Sequence, residues 1–275
     1  MNKILCGKEY ADAKTKELQA EINKIKDKLK LAIIQVGDNA ASNVYIKNKC
    51  QKCEEFGINY ELIKFEEEVL ESDIIDTINK LNKDSNVTSI LVQLPLPKHL
   101  NESKILNSID YKKDVDGLSS ANLGKLFNNE GITPCTPQGV IDILKYYQIP
   151  IEGKNVVVVG RSNLVGKPLM HLFLAENATV TVAHSKTNDL KNLTLQADIL
   201  VVATGKGGLI TEEMINSKTI IIDVGINRIN NKLVGDVTKE AYQKALAYTP
   251  VPGGIGLVTI ISLIKNIIRC YKNLN

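Results

Sequence analysis

Four consecutive valines, Val156 to Val159, run directly into Gly160-Arg-Ser-Asn-Leu-Val-Gly166, and no other stretch constrains the chain as tightly. A short, uniformly apolar, β-branched run reads as a strand covered on both faces, the condition of a parallel sheet with crossover helices. The closing glycine permits a tight turn. The helix predicted beyond it, through Leu169 to Glu176, presents free N–H groups and a positive dipole end to a pyrophosphate. The match to a three-glycine dinucleotide fingerprint is imperfect, because Ser162 stands at the second position and the third glycine is displaced to Gly166. Taken alone, the loop can also be read as a plain strand-to-helix turn.

The rest of the chain repeats the same alternation. In the first half, strands are predicted at Leu31 to Val36, Tyr60 to Phe65 and Ser89 to Leu94, with helices at Ala11 to Leu29, Ala40 to Phe56 and Glu71 to Asn82. In the second half, strands are predicted at Asn155 to Val159, Thr179 to Ala183, Asp198 to Ala203 and Thr219 to Val224. A chain of 275 residues has room for two cores. The expected fold class is therefore α/β, with two α/β domains, the second a Rossmann-type parallel sheet, and a cleft between them. Gly131-Ile-Thr-Pro-Cys-Thr-Pro-Gln-Gly139 reads as a junction that opens a helix, with Thr136 as N-cap and Pro137 as first helical residue. Thr249-Pro-Val-Pro-Gly-Gly-Ile-Gly256 reads as a second junction, followed by a closing helix from Val258 to Tyr271. The expected division is 1–133 plus 257–275 against 134–256.

Composition excludes more than it selects. A hydrophobic fraction of 44% argues for a folded chain, and a net charge of +3 from 34 basic and 31 acidic residues offers no footprint for nucleic acid. The longest apolar run, Ile255 to Ile264, is too short to span a bilayer. No secretion or transit signal is legible, so a cytoplasmic protein with no membrane partner is expected. Five scattered cysteines suit a reducing compartment. Cys50 and Cys53 form a C-x-x-C with no second pair and no nearby His, so they read as small apolar residues on one helix face, and no metal is expected.

Two sets of residues carry chemistry. About 20 residues past the loop, where an NAD enzyme offers a carboxylate to the ribose, the chain has His184-Ser185-Lys186-Thr187. Hydroxyls and a cation there, with Arg161 beside the loop, suit a 2′-phosphate, and the cofactor expected is NADP. In the first half, Ser42, Tyr45 and Lys49 share a helix face at i, i+3 and i+7. Gln93-Leu-Pro-Leu-Pro97 places a polar side chain at the carboxyl end of a strand, the edge where α/β sheets bind ligands. Lys113-Asp-Val-Asp-Gly-Leu118 sets Asp114 and Asp116 on a turn, as turn-formers or substrate contacts.

With these motifs in order, the chain resembles the bifunctional methylenetetrahydrofolate dehydrogenase/cyclohydrolases. The resemblance runs from Val36-Gly-Asp-Asn-Ala-Ala-Ser-Asn-Val-Tyr-Ile-Lys-Asn-Lys49 to Thr249-Pro-Val-Pro-Gly-Gly-Ile-Gly256. Between them it takes in Val92 to Pro97, Lys113 to Gly117, Pro134 to Pro137, Val159 to Pro168, His184 to Thr187 and Ile222 to Asn227. It implies oxidation of 5,10-methylenetetrahydrofolate with NADP, hydrolysis of the methenyl product, tetrahydrofolate derivatives as ligands, and a homodimer. It implies Lys49 as the catalytic lysine, Gln93 as its partner, Tyr45 as a residue stacking on folate, and Asp116 as the contact to the pterin. It further implies that Gly160, Arg161, Ser162, Gly166, Ser185, Thr204 and Ile226 hold the cofactor. Asp223 to Asn227 and Pro252, Gly253 and Gly254 would lie around nicotinamide and substrate. Leu257 and Gly207-Gly208 stand where the family commonly has proline. Two rivals remain on sequence: an enzyme with one of the two activities, and a non-catalytic NADP-binding sensor, which would have no use for Tyr45, Lys49, Gln93 and Asp116 together.

Overall fold

The computed structural model describes residues 3–230 and 232–275. Its strands are β1 (Lys3–Ile4), β2 (Lys30–Val36), β3 (Asn59–Phe65), β4 (Ser89–Val92), β5 (Asn155–Val159), β6 (Thr179–Ala183), β7 (Ile199–Val202), β8 (Ile220–Asp223), β9 (Asn227–Ile229), β10 (Lys232–Val234) and β11 (Ala247–Tyr248). Helices α1 (Gly7–Ile22), α2 (Ala40–Phe56), α3 (Glu71–Lys83), α4 (Glu102–Asn107) and α5 (Ser120–Leu126) occupy the first half. They are followed by α6 (Cys135–Tyr146), α7 (Gly166–Ala175), α8 (Leu190–Leu195), α9 (Lys239–Lys244) and α10 (Ile255–Leu274).

The chain divides into two compact units. One comprises the residues up to Lys14 with Thr136–Ile261, the other Thr15–Cys135 with Ser262–Asn275. The division at Cys135 falls within the first junction read from sequence, and the one at Ile261 falls inside α10, five residues past the second. The one at Lys14 has no counterpart there, because it arises from the two-residue strand β1 pairing in parallel with distant β11, Lys3 opposite Ala247. Such a pairing leaves no periodicity to read.

In the Thr15–Cys135 unit the sheet order is β3-β2-β4, all parallel. The central strand β2 is buried from Leu31 to Val36, as a strand flanked on both edges and covered on both faces must be. One core packs Ala32, Ile34, Ile90 and Val92 of the sheet against Ile74 and Ile78 of α3. Lys113 is buried, and its Nζ donates to the carbonyls of Leu81 (3.0 Å) and Asp84 (2.7 Å), closing the carboxyl end of α3 with a cation.

In the other unit a six-stranded sheet has the order β1-β11-β8-β7-β5-β6, its neighbours all parallel. Val157, Val159, Leu200, Val202 and Ile221 form its core with Ala241 and Ala245. The antiparallel β9–β10 hairpin stands outside this sheet.

Two local expectations are corrected. Helix α1 ends at Ile22, and a 3-10 turn at Lys26–Lys28 occupies the stretch read as its continuation. That stretch is rich in helix-forming Lys and lacks any glycine or proline to mark the break. Thr136 is not an N-cap, since α6 already begins at Cys135. Pro137 sits two residues deeper, still in the first turn where its missing N–H costs no helix bond, and the Thr136 hydroxyl lies 3.2 Å from that of Thr259.

Candidate functional site

The residues expected on the folate side are carried by three segments at the β3-β2-β4 sheet. After β2, the Asn39 side chain accepts from the Ser42 N–H (3.1 Å) and caps the start of α2. That helix brings Ser42, Tyr45 and Lys49 round on one side; Ser42 and Lys49 are buried and Tyr45 is half-buried. Burial also raises the Tyr45 phenol. Gln93 follows β4 directly, its N–H donating to Ile34 (2.8 Å) as a last rung of the sheet. Its Nε2 is committed to the Leu94 carbonyl at 2.7 Å, which leaves Oε1 as acceptor for Lys49 Nζ at 3.1 Å. A lysine 9% exposed whose amine meets a neutral amide is an unusual expense in a core, of the kind active sites carry.

The third segment, Lys113 to Val115, runs parallel to β4 through the bridge Ile90 to Asp114. This places Asp116 near the carboxyl edge at which Gln93 emerges. The two aspartates separate in role. Asp114 is buried and accepts from Gly117 N (3.0 Å), Ser119 N (2.8 Å) and Asn122 Nδ2 (3.0 Å), so it builds the turn, and burial pushes its carboxyl up. Asp116 is partly exposed, and its carboxylate faces the Cys135 thiol. Burial first, then the neighbouring Asp116, hold that thiol high, while Lys49 pulls it down, so Lys49 and Asp116 are both close enough to act on Cys135.

Two residues here escaped the sequence reading. Cys135 was legible only as part of a junction. Asn266 is buried on α10, and its Nδ2 reaches the carbonyls of Val115 (2.9 Å) and Thr133 (2.9 Å) and Cys135 Sγ (3.4 Å). An amide inside Ile261 to Ile268 is the one signal that could have found it. Cys50 and Cys53 are buried on α2, and burial pushes Cys53 up to about 12, as for structural thiols. Among the described residues no group of three or more His, Cys, Asp and Glu is placed to hold a metal ion, and no helix is long and apolar enough to cross a membrane.

The other unit presents a cradle at the carboxyl ends of its strands. Gly160 has φ +134°, and a Cβ there would lie 2.4 Å from the Ala203 carbonyl oxygen. A Cβ on Gly166 would lie 2.1 Å from the Gly160 oxygen. The two glycines thus let the loop fold onto itself and leave its backbone bare. Ser162 braces it, Oγ accepting from Val165 N (3.1 Å) and its carbonyl from Lys167 N (3.0 Å). No side chain caps the amino end of α7 at Val165. These are the features a pyrophosphate needs, so a dinucleotide fits. Val159 pairs with Ala183, and Gly160 N donates to the Ala183 carbonyl at 2.8 Å, so the loops bearing Arg161 and Ser185 leave adjacent strands side by side. Arg161, Ser185 and Lys186 are exposed there. His184 and Thr187 close the turn, Thr187 Oγ1 accepting from His184 N at 2.8 Å.

Further along the same edge, Thr204 follows β7, Ile226 is 41% exposed between β8 and β9, and Pro252 is exposed beside Gly253 and Gly254. The departures from the family's prolines have local reasons. A Cβ on Gly207 would press on Ile229 at 2.8 Å, and Leu257 N donates to the Gly254 carbonyl at 3.2 Å, a bond proline would forfeit.

Fold and site together define a dinucleotide-dependent α/β enzyme whose Thr15–Cys135 unit holds a buried lysine beside an amide. Two family models match: the tetrahydrofolate dehydrogenase/cyclohydrolase catalytic domain over residues 5–116, and the NAD(P)-binding domain of the same family over residues 134–275. The chain belongs to the tetrahydrofolate dehydrogenase/cyclohydrolase family. A relative from Clostridium novyi named bifunctional protein FolD is 47% identical over 97% of this chain and 98% of its own. The solved FolD methylenetetrahydrofolate dehydrogenase/cyclohydrolase of Campylobacter jejuni superposes with a TM-score of 0.97 at 42% identity, all of both chains being covered. The Trypanosoma brucei enzyme, solved with NADP and an inhibitor, gives a TM-score of 0.94 at 33% identity over 98% of this chain and 97% of that one.

Proposed function

We infer that this chain oxidises 5,10-methylenetetrahydrofolate to 5,10-methenyltetrahydrofolate with NADP, then hydrolyses the product to 10-formyltetrahydrofolate. The observation that carries the reading is the buried Lys49 amine held 3.1 Å from Gln93 Oε1.

Bound NADP supplies the hydride acceptor. The chain's own task in that step is positioning, because the methenyl cation left behind is stabilised by its two flanking nitrogens. Tyr45 offers a ring face to orient the folate and Asp116 a carboxylate to accept from the pterin N–H groups. Hydrolysis needs proton management: water adds to the bridge carbon, one proton leaves, and a ring nitrogen is protonated as its bond to carbon breaks. A buried amine held beside a neutral amide is the group placed to carry that proton. Lys49 therefore takes the proton from water and returns one to the departing nitrogen, while Gln93 holds its amine in line. On the cofactor side, Gly160, Ser162 and Gly166 shape the pyrophosphate cradle, Arg161 and Ser185 take the 2′-phosphate, and Thr204, Ile226 and Pro252 to Gly254 lie toward the nicotinamide.

Folate is assigned to the Thr15–Cys135 unit and NADP to the unit bearing the six-stranded sheet. The chain is further proposed to be a cytoplasmic homodimer. The family resemblance supports the dimer, and five free cysteines support a reducing compartment. Light scattering at about twice 30.3 kDa supports the dimer; a monomer mass contradicts it. A spectrophotometric assay that follows NADPH and methenyl-folate separately tests the activities. Both signals are expected in sequence. NADPH without loss of methenyl-folate would leave a dehydrogenase alone, and neither signal would leave a sensor.

A further inference from the structure

Asp236, just past β10, is completely buried, and its carboxylate meets four donors from the turn after β7 and the start of β9. Oδ2 accepts from Thr204 N (2.6 Å), Thr204 Oγ1 (2.8 Å) and Gly205 N (2.9 Å), and Oδ1 accepts from Asn227 Nδ2 (2.8 Å). Thr204 and Gly205 follow β7, and Asn227 follows β8. Asp236 is itself fastened, its N–H donating to Asp223 Oδ1 at 3.1 Å, an oxygen that also accepts from Gly225 N at 2.9 Å. There is no slack in this packing: a Cβ on Gly225 would lie 2.1 Å from Asp236 Cγ.

A buried carboxylate is costly unless every donor around it is kept, and charge-assisted bonds to it are about twice as strong as neutral ones. Here the donors belong to the loops at the carboxyl edge of a parallel sheet, where ligands bind. In the order β8-β7-β5-β6, Ser185 lies at β6, and Arg161 and the pyrophosphate cradle lie at β5. The β7 and β8 loops are left for the remaining half of the cofactor.

We propose that Asp236 is a positioning residue for NADP, fixing the Thr204–Gly205 turn and Asn227 in the shape that receives the nicotinamide half without itself touching cofactor or substrate. The inference rests on the cofactor assignment above. Hydrolysis of methenyltetrahydrofolate needs no NADP, so it reports whether a variant remains correctly folded.

The test measures three quantities for Asp236→Ala and Asp236→Asn: the NADP KM, the methylenetetrahydrofolate KM, and NADP-free hydrolysis. Asp236→Ala is expected to raise the NADP KM on the order of 100-fold, as for a loop displaced by about 1 Å, with the other two unchanged. Asparagine keeps one acceptor for the Thr204 and Gly205 donors, so Asp236→Asn is expected to restore most of the affinity. An unchanged NADP KM in Asp236→Ala, or hydrolysis falling in step with oxidation, overturns the proposal. Should the alanine variant fail to fold, Asp236→Asn decides: a several-fold rise in NADP KM with intact hydrolysis supports it, and no rise overturns it. Arg161→Ala is measured alongside. If that variant also leaves the NADP KM unchanged, the cofactor assignment itself has failed; if only the Asp236 variants are silent, this inference alone has.

Discussion

Replacing Asp223 by asparagine removes a titration that the native fold should otherwise show. Asp223 is 1% exposed at the end of β8. Desolvation pushes its carboxyl from 3.8 up to about 6, against the pull of the Tyr242 hydroxyl (2.6 Å) and the N–H groups of Asp236 and Val237. A carboxyl raised in the folded state binds its proton more tightly there than in the unfolded chain. Its contribution to stability is therefore fully present below about pH 4 and is lost as pH rises through about 6. At 1.36 kcal/mol per pH unit, the rise amounts to about 3 kcal/mol. Urea denaturation followed by circular dichroism, from about pH 4 to 7.5, measures it in wild type and Asp223→Asn. The stability advantage of wild type should shrink by about 3 kcal/mol across that range. An advantage that stays level would refute the reasoning. One that grows with pH would mean that the hydrogen-bond donors, and not burial, dominate.

Three further outcomes follow from the same geometry. Gly166→Ala puts a Cβ 2.1 Å from the Gly160 oxygen, so the cradle must open by about 1 Å; steady-state kinetics should show the NADP KM rising on the order of 100-fold with NADP-free hydrolysis intact. Arg161→Ala should weaken NADP by about tenfold or more while barely affecting NAD, as judged by titration with each dinucleotide; equal losses would remove Arg161 from the 2′-phosphate site. Asn266→Ala removes a buried donor from the Val115 and Thr133 carbonyls, and denaturation should show a loss of about 2 to 4 kcal/mol; a loss under about 1 kcal/mol would mean water replaces the amide.

How far the fold could be read depended on how local its causes were. The valine run of β5 and the buried strand β2 were legible because strands covered on both faces are apolar throughout, and α2 began and ended where its pattern did, at Ala40 and Phe56. Strands β1 and β11, two residues each, and the β9–β10 hairpin were not, since their pairing is long-range or too short to show a period. The structure places Lys49 against Gln93 because one crossover carries α2 over a parallel sheet, and helix spacing with strand-end position together foreshadowed that meeting. Nothing local marked Asp236, and only its place inside an apolar helix marked Asn266. Both act through partners that only the fold brings near, and a single Asp after glycine or a single Asn in an apolar helix has many bland uses.

The account turns on Lys49 as the proton carrier of hydrolysis, and decay of methenyltetrahydrofolate, followed without NADP in Lys49→Met and Lys49→Arg, tests it most directly. Methionine fills the same space with no proton to move, and arginine stays charged at any accessible pH. The account predicts that both variants lose hydrolysis, with arginine giving no rescue. Hydrolysis at the wild-type rate in either variant would contradict it.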